Sequence, residues 1–303
     1  MNYTSKQLGY LYISIFIVCG SIAGLLVDAV FRTNPGFSPL IGTVYGFAGV
    51  CIGSLILLAS SKPIRTNVTH LFSTQWKIVL LISLLTTIGV MIWFYSISVV
   101  GSGFVSLLSK MQVIWAYILG TLFLGELIKR HHIIGIFLTF AGMIALQSTS
   151  LSIDLFVFGL MIAQSMCYGI QSFLVKKHLK GYSSLALVII RSLVMTAMMA
   201  AMLAPFMTFP QIAWNPLLLL IISQVFGLFI GRVYYFKAHE LLPISELNIF
   251  LMIGPVVTMI AAFFLFGDVL TLLEVLGAAI VLLGLIVFRV EEKNKVPRRR
   301  RFF

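Results

Sequence analysis

Long runs of apolar residues, separated by short polar stretches, recur along nearly the whole chain of 303 residues. A hydrocarbon layer about 30 Å thick needs about 20 apolar residues for each helix that crosses it. On this measure the pattern predicts ten membrane-spanning helices, near residues 8–28, 38–60, 77–98, 101–124, 132–149, 153–175, 184–207, 215–237, 244–266 and 271–289. These helices and their short connections nearly fill the chain, so no length remains for a soluble catalytic domain.

The chain also contains an internal repeat, in which a pattern of glycines and one acidic residue recurs 142 positions later. It reads Gly125-Glu126, Gly135 and Gly142 in the first copy, and Gly267-Asp268, Gly277 and Gly284 in the second. Five helices per copy is an odd number, which inserts the second copy in the opposite orientation. The sequence therefore predicts an all-α integral membrane protein with ten transmembrane helices in two inverted five-helix repeats, residues 1–149 and 150–291, followed by a basic cytoplasmic tail, residues 292–303.

Composition and charge placement support a membrane protein and argue against a nucleic-acid partner. Hydrophobic residues make up 60% of the chain and charged residues 10%, whereas soluble domains carry about 25% charged residues. The net charge is +12, but seventeen of the 21 Lys and Arg residues fall on one side of the predicted topology and only Arg32 on the other. This asymmetry predicts cytoplasmic termini. The N-terminal stretch is short and neither Arg-rich nor amphipathic, so we expect a bacterial-type inner membrane, with an endomembrane as the alternative. The basic surface then faces anionic membrane lipid.

The sequence contains no motif that indicates an enzyme, a metal site or a cofactor site. The three cysteines, Cys19, Cys51 and Cys167, fall within separate predicted helices and lack the spacing of a metal site. Phosphate-binding loops, nucleophile elbows and paired-carboxylate motifs do not occur. We therefore expect a small-molecule substrate and membrane lipid as partners, no cofactor, and a monomer or homodimer.

Two cations deep in predicted helices are the strongest candidates for substrate binding. A Lys or Arg at a helix centre costs about 2.5–3.5 kcal/mol on insertion scales, so it usually faces a cavity or a partner. Lys110 and Arg191 lie roughly 13 Å and 11 Å along their helices at 1.5 Å per residue. Ser106 shares a helix face with Lys110. Gln112 lies about 200° around the helix from Lys110, so we expect only one of the two to face a cavity squarely.

Polar residues near one end of the eighth and ninth predicted helices form a second group. Arg232 and Glu246 lie at similar depth, and Asn248 follows on the same helix as Glu246. A salt bridge between Arg232 and Glu246 would satisfy two costly charges. Alternatively, Glu246 is a carboxylate that couples transport to protons.

Aromatic and amide side chains complete the candidate site. Trp93 and Tyr235 occupy equivalent positions in the two halves, and transporter sites lie where such repeats meet. Gln164 is the further polar candidate, on the sixth predicted helix together with Gln171.

The repeated segments resemble the EamA-type module of the drug/metabolite transporter superfamily. In that module a helix ends in Gly-Glu or a similar pair, and a short polar stretch leads to a Gly-rich helix. The matching segments are Thr121–Glu126 running to Gly142, and Phe264–Asp268 running to Gly284, with Gly254-Pro255 and Arg191 also where the family pattern favours Pro and Arg. Residues 110–113, Lys-Met-Gln-Val, depart from the Met-Ile-Gly-Pro of residues 252–255.

The resemblance implies a transporter of small metabolites, typically an exporter of amino acids or related compounds. With Lys110 and Arg191 in the membrane, we expect a secondary transporter that exports a small carboxylate-bearing substrate, such as an amino acid, by alternating access. A carrier of nucleotide sugars or phosphate compounds, and a non-transporting membrane scaffold, remain alternatives. Glu126 and Asp268 fit helix capping better than substrate contact, because a carboxylate stabilises a helix N-terminus.

Overall fold

The computed structural model describes residues 5–124, 130–149, 155–179, 181–203, 214–242, 250–251, 253–267 and 271–287, whose regular structure is helical. In a bilayer every backbone N–H and C=O needs a partner within the chain, and a helix supplies these partners within one segment. The helices are α1 (Ser5–Thr33), α2 (Pro39–Ser60), α3 (Lys62–Leu108), α4 (Gln112–Leu124), α5 (Arg130–Thr149), α6 (Leu155–His178), α7 (Ser184–Leu203), α8 (Trp214–Gln224), α9 (Gly231–Leu241), α10 (Ile253–Phe266) and α11 (Leu272–Val287). A 3-10 turn, Ser109–Met111, separates α3 from α4, and a π-helical segment, Val225–Ile230, separates α8 from α9.

Six segments of the described chain are long and apolar enough to cross a membrane. They are Ser5–Thr33, Pro39–Ser60, Lys62–Met111, Leu155–Val175, Ser184–Met202 and Trp214–Ala238, and two shorter apolar helices are Ile253–Phe266 and Val275–Gly284. This is the helical architecture of an integral membrane protein. The count of ten spans and the inversion of the two halves stay predictions.

One of the six segments is too long to be a single span. Lys62–Met111 contains 50 residues, which would extend about 75 Å as one helix, more than twice the thickness of the hydrocarbon layer. Helical geometry is interrupted within it at Gln75, with φ of −129°, and at Gly101, with φ of +77°. Both breaks fall close to the predicted limits of the third and fourth spans, 77–98 and 101–124.

The chain turns back at Gly101. Before this residue, Phe94 packs edge-on against Phe31 near the end of α1, with ring centroids 6.3 Å apart. After it, Ser102 lies beside Gly24, about two turns earlier on α1. In an unbroken helix Ser102 would lie about 12 Å beyond Phe94, away from Gly24. A positive φ is open to glycine without steric cost, so Gly101 can form this turn.

The predicted connection between the second and third spans is instead helical. Residues 62–74 form the first part of α3, with Ile64, Val68 and Leu71 on one face. Val68 and Leu71 are buried in the hydrophobic core, while the polar residues between them are exposed. A search for continuous apolar runs misses this segment because an amphipathic helix alternates apolar and polar residues.

The chain forms two compact units, each with segments from both predicted halves. The larger unit comprises Met1–Gly125 and Ile153–Val269, and the smaller unit comprises Glu126–Ser152 and Leu270–Phe303. In the larger unit α1 packs against α3, α8, α9 and α10. A hydrophobic core closes this bundle near the start of α1, and it includes Ile13, Leu71, Val188, Phe236 and Leu251.

The smaller unit is held together by glycines on α5 and α11. A Cβ added to Gly142 would lie 2.6 Å from the backbone nitrogen of Val281, and one added to Gly284 would lie 2.6 Å from that of Thr139. Real Cβ atoms do not approach so closely, so the two backbones touch only because these residues are glycines. The prediction that these glycines serve close helix contact is confirmed.

Candidate functional site

A cavity of about 150 Å³ lies inside the larger unit, beside the middle of α1. Its α1 residues run from Phe16 to Gly24, so the cavity lies between the hydrophobic core around Ile13 and the far end of the helix. The other walls come from the two arms of the chain around Gly101, from α6, from the π-helical segment and α9, and from α10. If α1 spans the bilayer, its middle and the cavity lie near the membrane midplane.

The π-helical segment Val225–Ile230 shapes one wall. Gln224, Gly227 and Leu228 line the cavity, and a Cβ added to Gly227 would lie 2.9 Å from the Cβ of Ala23. The small residues therefore let α1 approach this wall closely. A single π-helical turn inside an α-helix is frequent at functional sites, because it redirects side chains without ending the helix.

Lys110 contributes one positive charge to the cavity wall. It lies in the 3-10 turn between α3 and α4, and its Nζ would be 3.4 Å from a Cβ added to Gly254 of α10. The glycine leaves room for the ammonium group. Gln112 lines the cavity as well, so both residues reach it, and which of them faces it squarely stays a prediction. Successive residues turn by about 120° in a 3-10 helix, which brings Lys110 and Gln112 closer in orientation than an α-helix would.

Arg232 contributes a second positive charge, within an aromatic cage. Its Cζ lies 5.8 Å from the ring centroid of Phe16, 5.7 Å from that of Tyr168 and 5.5 Å from that of Tyr235. The negative faces of aromatic rings attract a cation, more strongly where water is excluded. Among the described residues, no carboxylate pairs with Arg232 or with Lys110, and the ion pair Arg32–Asp28 involves neither of them.

Arg191 is near the cavity but does not line it. Its side chain is 0% exposed, and its Cζ lies 5.8 Å from the ring centroid of Phe236. It is close enough to Arg232, Tyr168 and Tyr235 to interact with them electrostatically. All three guanidinium nitrogens lack a hydrogen-bond partner within the described structure. A buried cation in this state is energetically costly.

Hydrogen-bond donors without acceptors occur on the cavity wall. Gln164 is 0% exposed and accepts a hydrogen bond from the Ser109 hydroxyl at 3.2 Å, but its Nε2 has no partner in the described part of the chain. The Ser106 hydroxyl is also buried without a partner. Both residues line the cavity. A buried donor usually finds an acceptor, so the wall suits a ligand rich in acceptor oxygens.

Asp28 organises the end of the cavity opposite the hydrophobic core. Its carboxylate accepts hydrogen bonds from the backbone N–H of Ser102 at 2.8 Å, the Ser102 hydroxyl at 2.7 Å and Arg32 Nε at 2.8 Å. Asp28 is 2% exposed, and the guanidinium of Arg32 lies 4.5 Å from the Phe266 ring centroid. This cluster therefore joins α1 to the turn at Gly101 and to α10.

The structure brings together most of the described candidates from the sequence. Ser106, Lys110, Trp93, Gln164 and Arg232 line the cavity. Tyr235 lies behind Arg232 as part of its cage, so it does not pair with Trp93 across the cavity.

Several other candidates lie outside the described residues. These are Gly125, Glu126, Asp268, Glu246 and Asn248. The predicted Arg232–Glu246 salt bridge therefore stays a prediction. Gly267 is described: it follows the end of α10 with φ of +70°, and its N–H bonds to the carbonyl of Phe263 at 3.0 Å.

Several polar residues of the site, among them Asp28, Gln224 and Thr258, were missed by the sequence reasoning. Asp28 is a carboxylate within an apolar helix, which is a signal of function or of a buried ion pair, but its proximity to the predicted end of the first span concealed it. Gln224 and Thr258 line the cavity, and the Thr258 hydroxyl donates to the Ser21 hydroxyl at 3.0 Å. Single uncharged polar residues are common in spanning helices, so sequence alone gives them little weight.

Known proteins resemble this chain in sequence and in fold. One relative is an uncharacterized transporter from Archaeoglobus fulgidus, 24% identical over 192 residues, which are 62% of this chain and 68% of the relative. A solved structure described only as the crystal structure of a protein shares the fold, with a TM-score of 0.63 at 13% identity, covering 91% of this chain and 97% of its own.

The family model gives the firmer assignment. The model of the EamA-like transporter family matches residues 7–147 and 155–290. The chain therefore belongs to the EamA-like transporter family, within the drug/metabolite transporter superfamily. Membership favours a membrane transporter over an enzyme.

Proposed function

We propose that the protein is a secondary transporter that exports a small carboxylate-bearing metabolite across a bacterial-type inner membrane. The observation that carries this proposal is the cavity beside the middle of α1, whose wall holds Lys110 and Arg232. Neither cation has a paired carboxylate among the described side chains. A carboxylate on the substrate would supply the missing negative charge and accept charge-assisted hydrogen bonds from both.

Alternating access requires a central site that opens to one side at a time. The proposal combines this site with ten spanning helices in two inverted halves and with both termini in the cytoplasm, which agrees with the placement of basic residues. The position of the cavity supports it, because packed groups lie at both ends. The core around Ile13 lies at one end, and Asp28 with Ser102 lies at the other.

The size of the cavity argues against a nucleotide sugar. About 150 Å³ is below the roughly 300–1,000 Å³ of pockets that enclose drug-sized ligands. A nucleotide sugar exceeds this volume. Small carboxylates and small phosphate compounds both remain compatible with the space.

A metabolite-exchange experiment separates a transporter from a membrane scaffold. Proteoliposomes containing the full chain would be loaded with one unlabelled small carboxylate at a time and supplied with the same compound in labelled form. We expect at least one labelled carboxylate to accumulate by counterflow. Exchange of no solute would contradict transport and favour the scaffold, and exchange of nucleotide sugars alone would contradict the proposed substrate class.

Two glycine variants connect exchange to the cavity. Gly20 lines the cavity, and a Cβ added to it meets nothing within 4 Å. Gly20→Leu should therefore fill the cavity without disturbing the helix and should abolish exchange. Gly53 on α2 has the same open surroundings but does not line the cavity, so Gly53→Leu is the matched control. Equal exchange by both variants would mean that the substrate does not use this cavity.

A further inference from the structure

Three cations in the larger unit lie close enough together to act on one another. Arg191 is buried, and Lys110 and Arg232 are half-buried. Arg232 is within electrostatic range of both Lys110 and Arg191. We refer to Lys110, Arg232 and Arg191 as the cation row. Like charges that are buried together repel strongly in surroundings of low polarity. The cation row therefore favours occupation of the cavity by more than one negative charge.

The two acidic side chains that the structure describes in the larger unit, Asp28 and Glu240, have other partners. Asp28 is engaged by Arg32 and Ser102, and Glu240 accepts a hydrogen bond from the Ser184 hydroxyl at 2.7 Å. No ion pair to a member of the cation row is found within the described part of the chain. The three guanidinium nitrogens of Arg191 lack hydrogen-bond partners there as well.

The uncharged residues of the cavity wall also favour an anionic ligand. Gln164 Nε2 and the Ser106 hydroxyl are buried donors without acceptors in the described structure, and both residues line the cavity. A carboxylate or phosphate offers acceptor oxygens and no N–H donors. An ammonium group offers only donors, and it would lie among cations and unsatisfied donors.

We infer that the substrate is a small dianion, either a dicarboxylate or a phosphorylated acid, and that it carries no ammonium group. This inference rests on the proposed function and narrows it. One anionic group binds Lys110 with Gln164 and Ser106, and the other binds Arg232 inside its aromatic cage. An amino acid with an uncharged side chain has a net charge near zero and leaves the cation row unbalanced.

Arg191 acts as a positioning residue in this arrangement. It does not line the cavity, so it strengthens the field at Arg232 without touching the substrate. Arg191 should therefore change how strongly the site prefers a substrate with two negative charges over one with a single charge. A merely structural role would change stability and leave this preference unaltered.

The size of the cavity favours a small dianion. Its volume of about 150 Å³ is below that of pockets that enclose drug-sized ligands, roughly 300–1,000 Å³. Succinate has four carbons and two carboxylates, and phosphoglycolate combines a carboxylate with a phosphate at similar size. These two compounds represent the two sources of a second negative charge.

Ligand binding to the purified full chain in detergent tests the inference without requiring transport. The upward shift of the melting temperature would be measured against the concentration of succinate, phosphoglycolate, succinamate and aspartate. Succinamate replaces one carboxylate of succinate by an amide, and aspartate adds an ammonium group to succinate. We expect succinate or phosphoglycolate to bind at least about tenfold more tightly than the last two, since a charge-assisted contact contributes about one to two powers of ten in affinity. Equal or tighter binding of succinamate or aspartate, or no binding of either dianion, would overturn the inference.

Variants of Arg232 and Arg191 test whether these residues recognise the second negative charge of the substrate. Arg232→Gln should lower dianion affinity at least about tenfold and affect succinamate less. Arg191→Gln should reduce the ratio of succinate to succinamate affinity, whereas the neighbouring Ser192→Ala, whose hydroxyl bonds only within α7 to Val188, should leave it unchanged. An unchanged ratio in Arg191→Gln would overturn the role of Arg191. If Arg232→Gln fails to fold, the ligand series on the unmodified protein decides the charge of the substrate.

Counterflow of the same compounds separates failure of this inference from failure of the proposed function. Dianion binding without exchange would support the site and contradict transport. Exchange of a monocarboxylate such as lactate, with no binding of a dianion, would support transport and overturn the dianionic substrate.

Discussion

The three residues of the cation row differ in their surroundings, and this difference decides what each substitution should do. Arg232 lies within a cage of aromatic rings, and Arg191 is enclosed without a hydrogen-bond partner in the described structure. Lys110 lies beside a glycine at the cavity wall. Of the three substitutions, removal of the Lys110 charge should therefore disturb packing least, so its effect should arise mainly from weaker substrate binding.

Lys110→Met should keep the protein folded and abolish transport. Methionine has a similar length and removes a charge that is costly in the membrane. Loss of one charge-assisted contact should weaken substrate binding about ten- to hundredfold. Counterflow measures transport, and the melting temperature in detergent measures folding.

The exposed lysine at residue 77 provides the control for Lys110→Met. Lys77→Met also removes one positive charge, but it lies outside the cavity and should transport normally. Normal transport by Lys110→Met would mean that Lys110 stabilises a helix contact instead of binding substrate. Failure of that variant to fold would mean that the charge itself is needed for the structure.

Asp28→Asn should destabilise the protein by about 1–3 kcal/mol, because an amide pairs less well with Arg32 and with the two donors of Ser102. Thermal unfolding in detergent measures the effect. The exposed Glu240 makes a hydrogen bond to Ser184, so Glu240→Gln removes a negative charge at a solvated position and should cost less than about 0.5 kcal/mol. Equal costs for the two variants would contradict a structural role for the Asp28 cluster.

Depth along a helix was predictable from the sequence, but rotation about the helix axis was not. Lys110 and Arg191 have similar depths, yet only Lys110 lines the cavity. Sequence periodicity predicts side-chain orientation on the assumption of a regular α-helix. The 3-10 turn at Ser109–Met111 departs from that geometry, so the side chains of its residues are oriented differently. For the same reason Gln112 lines the cavity together with Lys110.

At the scale of elements, the turn at Gly101 separates two arms of the chain that both line the cavity. Trp93 belongs to the arm before the turn, and Ser106 and Lys110 to the arm after it. The positive φ of Gly101 therefore determines how the two walls face each other.

Gly101→Ala should cost about 1–3 kcal/mol, because a Cβ is strained at positive φ. The same change at Gly53 is its matched control, since Gly53 lies within α2, lacks a positive φ and has open space for a Cβ. Gly53→Ala should be neutral or slightly stabilising, as alanine favours a helix. Thermal unfolding of both variants is the measurement. A neutral Gly101→Ala would show that this turn tolerates a side chain.

The sequence predicts elements well where composition is uniform and poorly where it is mixed. The limits near residues 98 and 101 were visible because a glycine-containing stretch divides two apolar runs. The helix over residues 62–74 was hidden, since only one of its faces is apolar. Burial of Val68 and Leu71 in the core stabilises this helix, and that contact depends on segments distant in sequence.

At the scale of the whole molecule, the placement of basic residues makes orientation testable. Cysteines introduced singly at Ser38 and Lys177 should react with a membrane-impermeant reagent from opposite sides of the membrane. Ser38 precedes α2, and Lys177 lies at the end of α6. Cys51 is partly exposed, so Cys51→Ser is the background for both variants. Reaction of both from the same side would contradict the inverted topology.

The π-helical segment Val225–Ile230 determines how the residues of α9, which follow it, are rotated about the helix axis. A π-turn holds one more residue than an α-turn, so the segment shifts α9 by roughly 100° relative to an uninterrupted helix. Deleting one residue from this apolar segment would leave hydropathy and charge almost unchanged. It would nevertheless swing Arg232, Tyr235 and Phe236 together away from their present neighbours, and so detach a cation from the cavity without substituting any residue that lines it.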